Sequence, residues 1–89
     1  MDPGAIKTFS SATAALVEAI EHDPEIAKFA FFEKLKHTGN LLSQQSLAEG
    51  NQDEICSTIS LIRIPITTLV YSEKFQEPAL NYLNSISCR

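Results

Sequence analysis

Apolar positions recur at helical spacing along nearly the whole chain. Ile6, Phe9, Thr13, Leu16, Val17 and Ile20 fall three or four residues apart, as one face of an α-helix requires. Asp2 as N-cap and Pro3 at the first helical position supply the start of that helix. A second start follows at once. Asp23 can cap, Pro24 carries the fixed φ suited to a first turn, and Glu25 places negative charge at the positive end of the helix dipole. So brief a connection, about residues 22–23, makes the first two helices antiparallel neighbours. The second helix directs Ile26, Phe29, Phe32 and Leu35 toward a core and leaves Lys28, Glu33, Lys34 and Lys36 largely elsewhere. Phe29, Phe31 and Phe32 cannot all face that core, because adjacent residues on a helix point about 100° apart. An exposed aromatic beside Lys28 and Lys34 would suit a protein-binding patch, though a slightly wider core face is the more common outcome.

Lys34, Lys36 and His37 ahead of Gly39 form the pattern of a helix C-terminus, with cations at the negative dipole end and a glycine able to take a left-handed cap. Leu41, Leu42, Gln45 and Ala48 nevertheless continue a helical rhythm, so either the helix passes through Gly39 or a separate short helix begins near Asn40. Gly50 and Asn51 end this segment, and Asn51 with Glu54 three residues on resembles a capping box. The next stretch divides periodicity from composition. Ile55, Ile59, Ile62, Ile66 and Leu69 form a seam of the kind a packed helix buries, yet the surrounding isoleucine, threonine and valine prefer strands and Pro65 removes a backbone donor. No other segment offers a partner strand, so the seam predicts a third helix, kinked near Pro65. Finally, Phe75, Ala79, Tyr82, Leu83 and Ile86 predict a fourth helix beginning near Glu77, with Pro78 in its first turn and residues 72–76 as a turn. The expected fold is a single all-α domain over residues 1–89, an antiparallel four-helix bundle.

Composition narrows the function classes. An apolar fraction of 44% and a charged fraction of 20% fit a compact globular chain and disfavour disorder. A net charge of −4, with seven dispersed cations, argues against a nucleic-acid partner. No apolar run reaches the roughly 18 residues of a membrane span, and the opening lacks the basic and apolar regions of a signal peptide; a cytoplasmic location without membrane insertion is expected. In that compartment Cys56 and Cys88 are expected as reduced thiols, and they could meet only if the last segment packs back beside the third helix. His22, Asp23 and Glu25 have the residue types of metal ligands, but they occupy a helix start where capping accounts for both acids, so no metal is expected. His37 reads as a cation at a helix end. With three glycines there is no phosphate-cradling loop, and no nucleophile–base motif stands out; a non-enzymatic protein without a cofactor is expected.

Two stretches resemble a known family. Glu21-His22-Asp23-Pro24-Glu25, an Asp-Pro helix start after an amphipathic helix, looks like the first turn of class IIa bacteriocin immunity proteins. Tyr71-Ser72-Glu73-Lys74-Phe75-Gln76-Glu77, followed by Leu80, Leu83 and Ile86, is similar to the run that opens their fourth helix when shifted by one residue. Helix order and lengths agree over most of the chain. The acidic net charge, Pro78 and the short segment after Ile86 depart from the family pattern. The resemblance implies a cytoplasmic four-helix bundle that protects a producing cell by binding a membrane sugar-transport receptor with its pore-forming peptide engaged. Arg63, Tyr71, Lys74, Phe75 and Gln76 are the candidate partner-binding residues on that reading. A different class is also open: a helical adaptor or self-association module of a larger eukaryotic or viral protein, using the isoleucine seam between chains.

Overall fold

A computed structural model of the protein describes residues 2–86 and 88. Its elements are α1 (Pro3–Glu21), α2 (Pro24–Ala27), α3 (Ala30–Leu42), α4 (Gln45–Gly50), α5 (Gln52–Leu69) and α6 (Gln76–Ser85). No strand occurs among the described residues. The all-helical expectation holds, and the periodicity of residues 55–69 outweighs their strand-favouring composition. The expected four helices appear among the described residues as six helical segments.

The second expected helix divides. From the Asp23 corner, α2 makes a single turn and the backbone becomes extended at Phe29, with φ −76° and ψ 146°. The break re-aims the chain so that Phe32, Leu35, Thr38 and Leu42, spaced three, three and four, face the core. It also turns Phe29 outward, 50% exposed, with the Lys28 ammonium 5.8 Å from its ring centre. Phe29 was expected inside; the structure leaves Phe31 half-buried and Phe29 in solvent. Further along, α3 runs through Gly39 to Leu42, and a separate short helix then begins at Gln45. A Cβ at Gly39 would lie 3.3 Å from Thr13 Cγ2 of α1, so the glycine permits close approach of the two helices.

Around the core, α1 packs against α3 and α6, and α5 packs against the same two helices. The interior draws Ile6, Phe9, Leu16 and Ile20 from α1, and Phe32, Leu35 and Leu42 from α3. The seam Ile55, Ile59, Ile62, Ile66 and Leu69 comes from α5, with Phe75 and the α6 residues Ala79 and Tyr82 closing the last side. The Phe9 and Tyr82 rings meet with centroids 5.2 Å apart. Two threonines are buried with them, and each hydroxyl donates within its own helix: Thr13 to the Phe9 carbonyl at 2.7 Å and Thr38 to the Leu35 carbonyl at 2.8 Å.

No break interrupts α5 at Pro65. The ring removes the donor that would have served the Leu61 carbonyl, while the Thr68 hydroxyl donates to the Pro65 carbonyl at 2.6 Å. At the other end, Cys56 and Cys88 form a disulfide, with Cα atoms 5.7 Å apart. The free thiols expected from the sequence are thus corrected: α6 runs back along α5 and delivers residue 88 beside the start of that helix. Closing a loop with a sequence separation of 32 restricts the unfolded chain by roughly 3–4 kcal/mol in the loop-entropy picture.

Candidate interaction surface

The seam residues fix the phase of α5. With Ile55, Ile59, Ile62, Ile66 and Leu69 inside, Leu61 and Ile64 must point away from the core. They are 70% and 78% exposed, and Tyr71, in the turn just past the helix, is 86% exposed. Ser57, Ser60, Thr67 and Thr68 are exposed on the same helix. Arg63 is the one charged side chain between Glu54 and Glu73 in the sequence, and it is exposed. Several hydroxyls already have acceptors: Ser60 donates to the Cys56 carbonyl at 3.1 Å and Thr67 to the Arg63 carbonyl at 2.8 Å. A face with few charges and internally bonded hydroxyls loses little hydration free energy when covered.

A polar edge separates this face from α3. His37 Nε2 lies 2.9 Å from Glu54 Oε1, and beyond them is a shallow groove of about 250 Å³ bordered by Glu33, Lys34, Thr58 and Leu61. This pairing corrects two expectations. His37 does not close a helix, because α3 continues to Leu42, and Glu54 does not reach back to form a capping box. Asn51 makes no side-chain cap; its backbone is at φ −124° and ψ 28°, and its amide donates to the Leu47 carbonyl at 2.8 Å.

The candidate residues named from the sequence part company. Arg63 and Tyr71 are exposed on α5 and just after it, and Gln76 is exposed at the first turn of α6. Lys74 is exposed too, but its ammonium donates to Asp23 Oδ2 at 3.1 Å, tying the turn before α6 to the α1–α2 corner. Asp23 Oδ1 accepts from the Glu25 amide at 3.1 Å, so one carboxylate both caps α2 and holds Lys74. The Lys74 hydrogen bond holds the Asp23 carboxyl below its usual pKa. Phe75 is corrected: at 3% exposure it is part of the core and cannot meet a partner directly. Sequence reasoning overlooked Leu61 and Ile64, although the signal was present, since both fall opposite the seam that it identified.

Grooves elsewhere are open. One of about 500 Å³ lies between α1 and α3, with Glu18, Glu21, Lys36 and Asn40 on its walls. The Ser43 hydroxyl on that wall donates to the Asn40 carbonyl at 2.7 Å, and Lys36 pairs with Glu33 at 3.1 Å. Among the described residues no three His, Cys, Asp or Glu side chains converge on a point that could hold a metal ion. No described helix is long and apolar enough to cross a membrane. The chain matches no protein-family model, no curated protein and no solved structure.

Proposed function

We propose that the protein works by binding another protein, without chemistry of its own, through the outer face of α5. The observation that carries this reading is the placement of Leu61, Ile64 and Tyr71 in solvent along a stretch whose one charged side chain over four turns is Arg63. On this reading the longer helices α1, α3, α5 and α6 serve as a four-helix bundle, and a bend at Pro65 sets the curvature of the contact face. Arg63, Gln76 and Lys74 form its polar rim, and Phe75 supports that rim from beneath.

The specific role we favour is a cytoplasmic bacteriocin immunity protein that recognises a membrane sugar-transport receptor after a pore-forming peptide has engaged it. The two stretches at residues 21–25 and 71–77 support it, and so does the exposure of Tyr71 and Gln76 at the second of them. Expression in a sensitive lactic-acid bacterium should shift its killing curve by class IIa peptides, and Ile64→Glu should remove the protection while leaving the helical content intact. An unchanged killing curve for the wild-type chain overturns the immunity role. A second reading has support from the same stripe: two copies could pair α5 against α5, making the protein a self-association module. Sedimentation of the wild type at micromolar concentration, compared with Ile64→Glu, distinguishes them, because only self-association gives a dimer that the substitution dissolves.

A further inference from the structure

Among the four longer helices α1, α3, α5 and α6, α6 is the shortest and buries the fewest residues, although it packs closely on α1. It contributes Ala79 and Tyr82 to the buried interior, where α1 and α5 each contribute five residues. Its largest anchor is imperfect, since the Tyr82 hydroxyl is buried beside Thr38 without a well-formed hydrogen bond among the described residues. A helix of ten residues is too short to persist alone in water. Its C-terminal end has one local support, the Ser85 hydroxyl donating to the Tyr82 carbonyl at 2.8 Å. The chain leaves at Ile86 in an extended conformation, φ −64° and ψ 122°, with no glycine cap and no basic residue in the last turn. The Cys56–Cys88 bond sits at that end, joining the residue two beyond Ile86 to the second turn of α5. Both cysteines are partly exposed, within reach of an external thiol.

We propose that the Cys56–Cys88 disulfide is a redox latch for α6. Oxidised, it holds the C-terminal end of α6 against α5. Reduced, that end is released and the core side of α5, with Ile59, Ile62 and Ile66, becomes intermittently accessible, while α1, α3 and the rest of α5 stay packed. The co-reactant is a dithiol of the thioredoxin class. Its thiolate attacks one sulfur of the bond to form a mixed disulfide, and its second thiol displaces the protein sulfur. Two electrons and two protons pass to Cys56 and Cys88, and the reductant leaves as its own disulfide. The compartment therefore sets the resting state, latched where conditions are oxidising and unlatched in a reducing cytoplasm. This inference does not depend on which partner the α5 outer face binds.

Hydrogen exchange of the full chain, read by mass spectrometry before and after treatment with dithiothreitol, tests the latch. Reduction should accelerate exchange in peptides covering α6 by about tenfold or more and leave those covering α1 and α3 unchanged. A Cys56→Ser, Cys88→Ser double variant should show the fast α6 pattern in both conditions. Equal α6 protection in the two redox states overturns the latch. So does acceleration spread evenly over all helices, which would make the bond a staple for the whole fold, and so does finding two titratable thiols in protein purified in air. Circular dichroism of the reduced chain supplies an independent check, because loss of most of its helical signal would also overturn the proposal.

Discussion

The two faces of α5 carry the same residue types to opposite ends. Ile62 and Ile64 are two positions apart on one helix, yet the first is completely buried and the second is 78% exposed. Composition cannot distinguish them; the phase of the seam does, because two steps along a helix rotate a side chain by about 200°. Similar pairs recur elsewhere. Tyr82 is sealed against Phe9 while Tyr71 stands in solvent, and Asp23 caps its helix while Asn51, in an equally promising position, does not. In each pair the local residue offers a capacity and the surrounding fold decides whether it is used.

Substitutions can break these pairs in graded fashion. Ile62→Ala should lower unfolding free energy by about 3 kcal/mol, read by urea denaturation, since it leaves a cavity among residues with no exposed surface. Tyr82→Phe should raise stability by about 1 kcal/mol, because it removes a buried hydroxyl without a well-formed hydrogen bond among the described residues. Burial also pushes the Tyr82 hydroxyl pKa up. The folded chain therefore holds that proton more tightly than the unfolded one, and stability that is complete below about pH 10 should fall as pH rises beyond it. Tyr82→Phe should flatten this alkaline loss.

The caps give smaller effects. Asp23→Ala should lower the melting temperature by about 5 °C, since it removes both the Glu25 amide acceptor and the Lys74 partner. Because the folded Asp23 carboxyl lies below its usual pKa, its contribution is present above the unfolded value of about 3.9 and is lost as pH falls through the lower folded one. Wild type and Asp23→Ala should therefore converge in melting temperature below about pH 4. Asn51→Ala, which loses only an exposed bond to the Leu47 carbonyl, should change stability by less than about 0.5 kcal/mol. Ile64→Ser should be the quietest of all, near zero by thermal melting, and a large loss there would mean that the outer face of α5 is covered in the isolated protein.

The starts of α1 and α2 were legible because Asp-Pro fixes both a cap and a first-turn φ within a few residues. The α5 seam was legible because five aligned apolar residues leave one rotational phase that buries them all. The turn ahead of α6 was legible for the same local reason, since Pro78 belongs in a first turn. The Phe29 break was not, because nothing local distinguishes which of three nearby phenylalanines must yield until α3 meets α1. The capping box at Asn51 failed for a related reason: Glu54 has a cross-helix partner in His37, invisible to a rule that counts residues along one helix. Of the candidate surface, Arg63, Tyr71, Lys74 and Gln76 are exposed and Phe75 is not, since an aromatic at a helix entry can face either way.

By itself the sequence determined that this chain is helical, where its helices chiefly begin, and which side of α5 is inside. Those properties depend on neighbours within about four residues, where spacing and capping act directly. Only the tertiary structure decided that the described residues form six helices, that Cys56 meets Cys88, that Asp23 holds Lys74, and that Leu61 and Ile64 remain uncovered. Each of those depends on contacts between residues far apart in the chain, and the packing of α1, α3, α5 and α6 around one core selects them together.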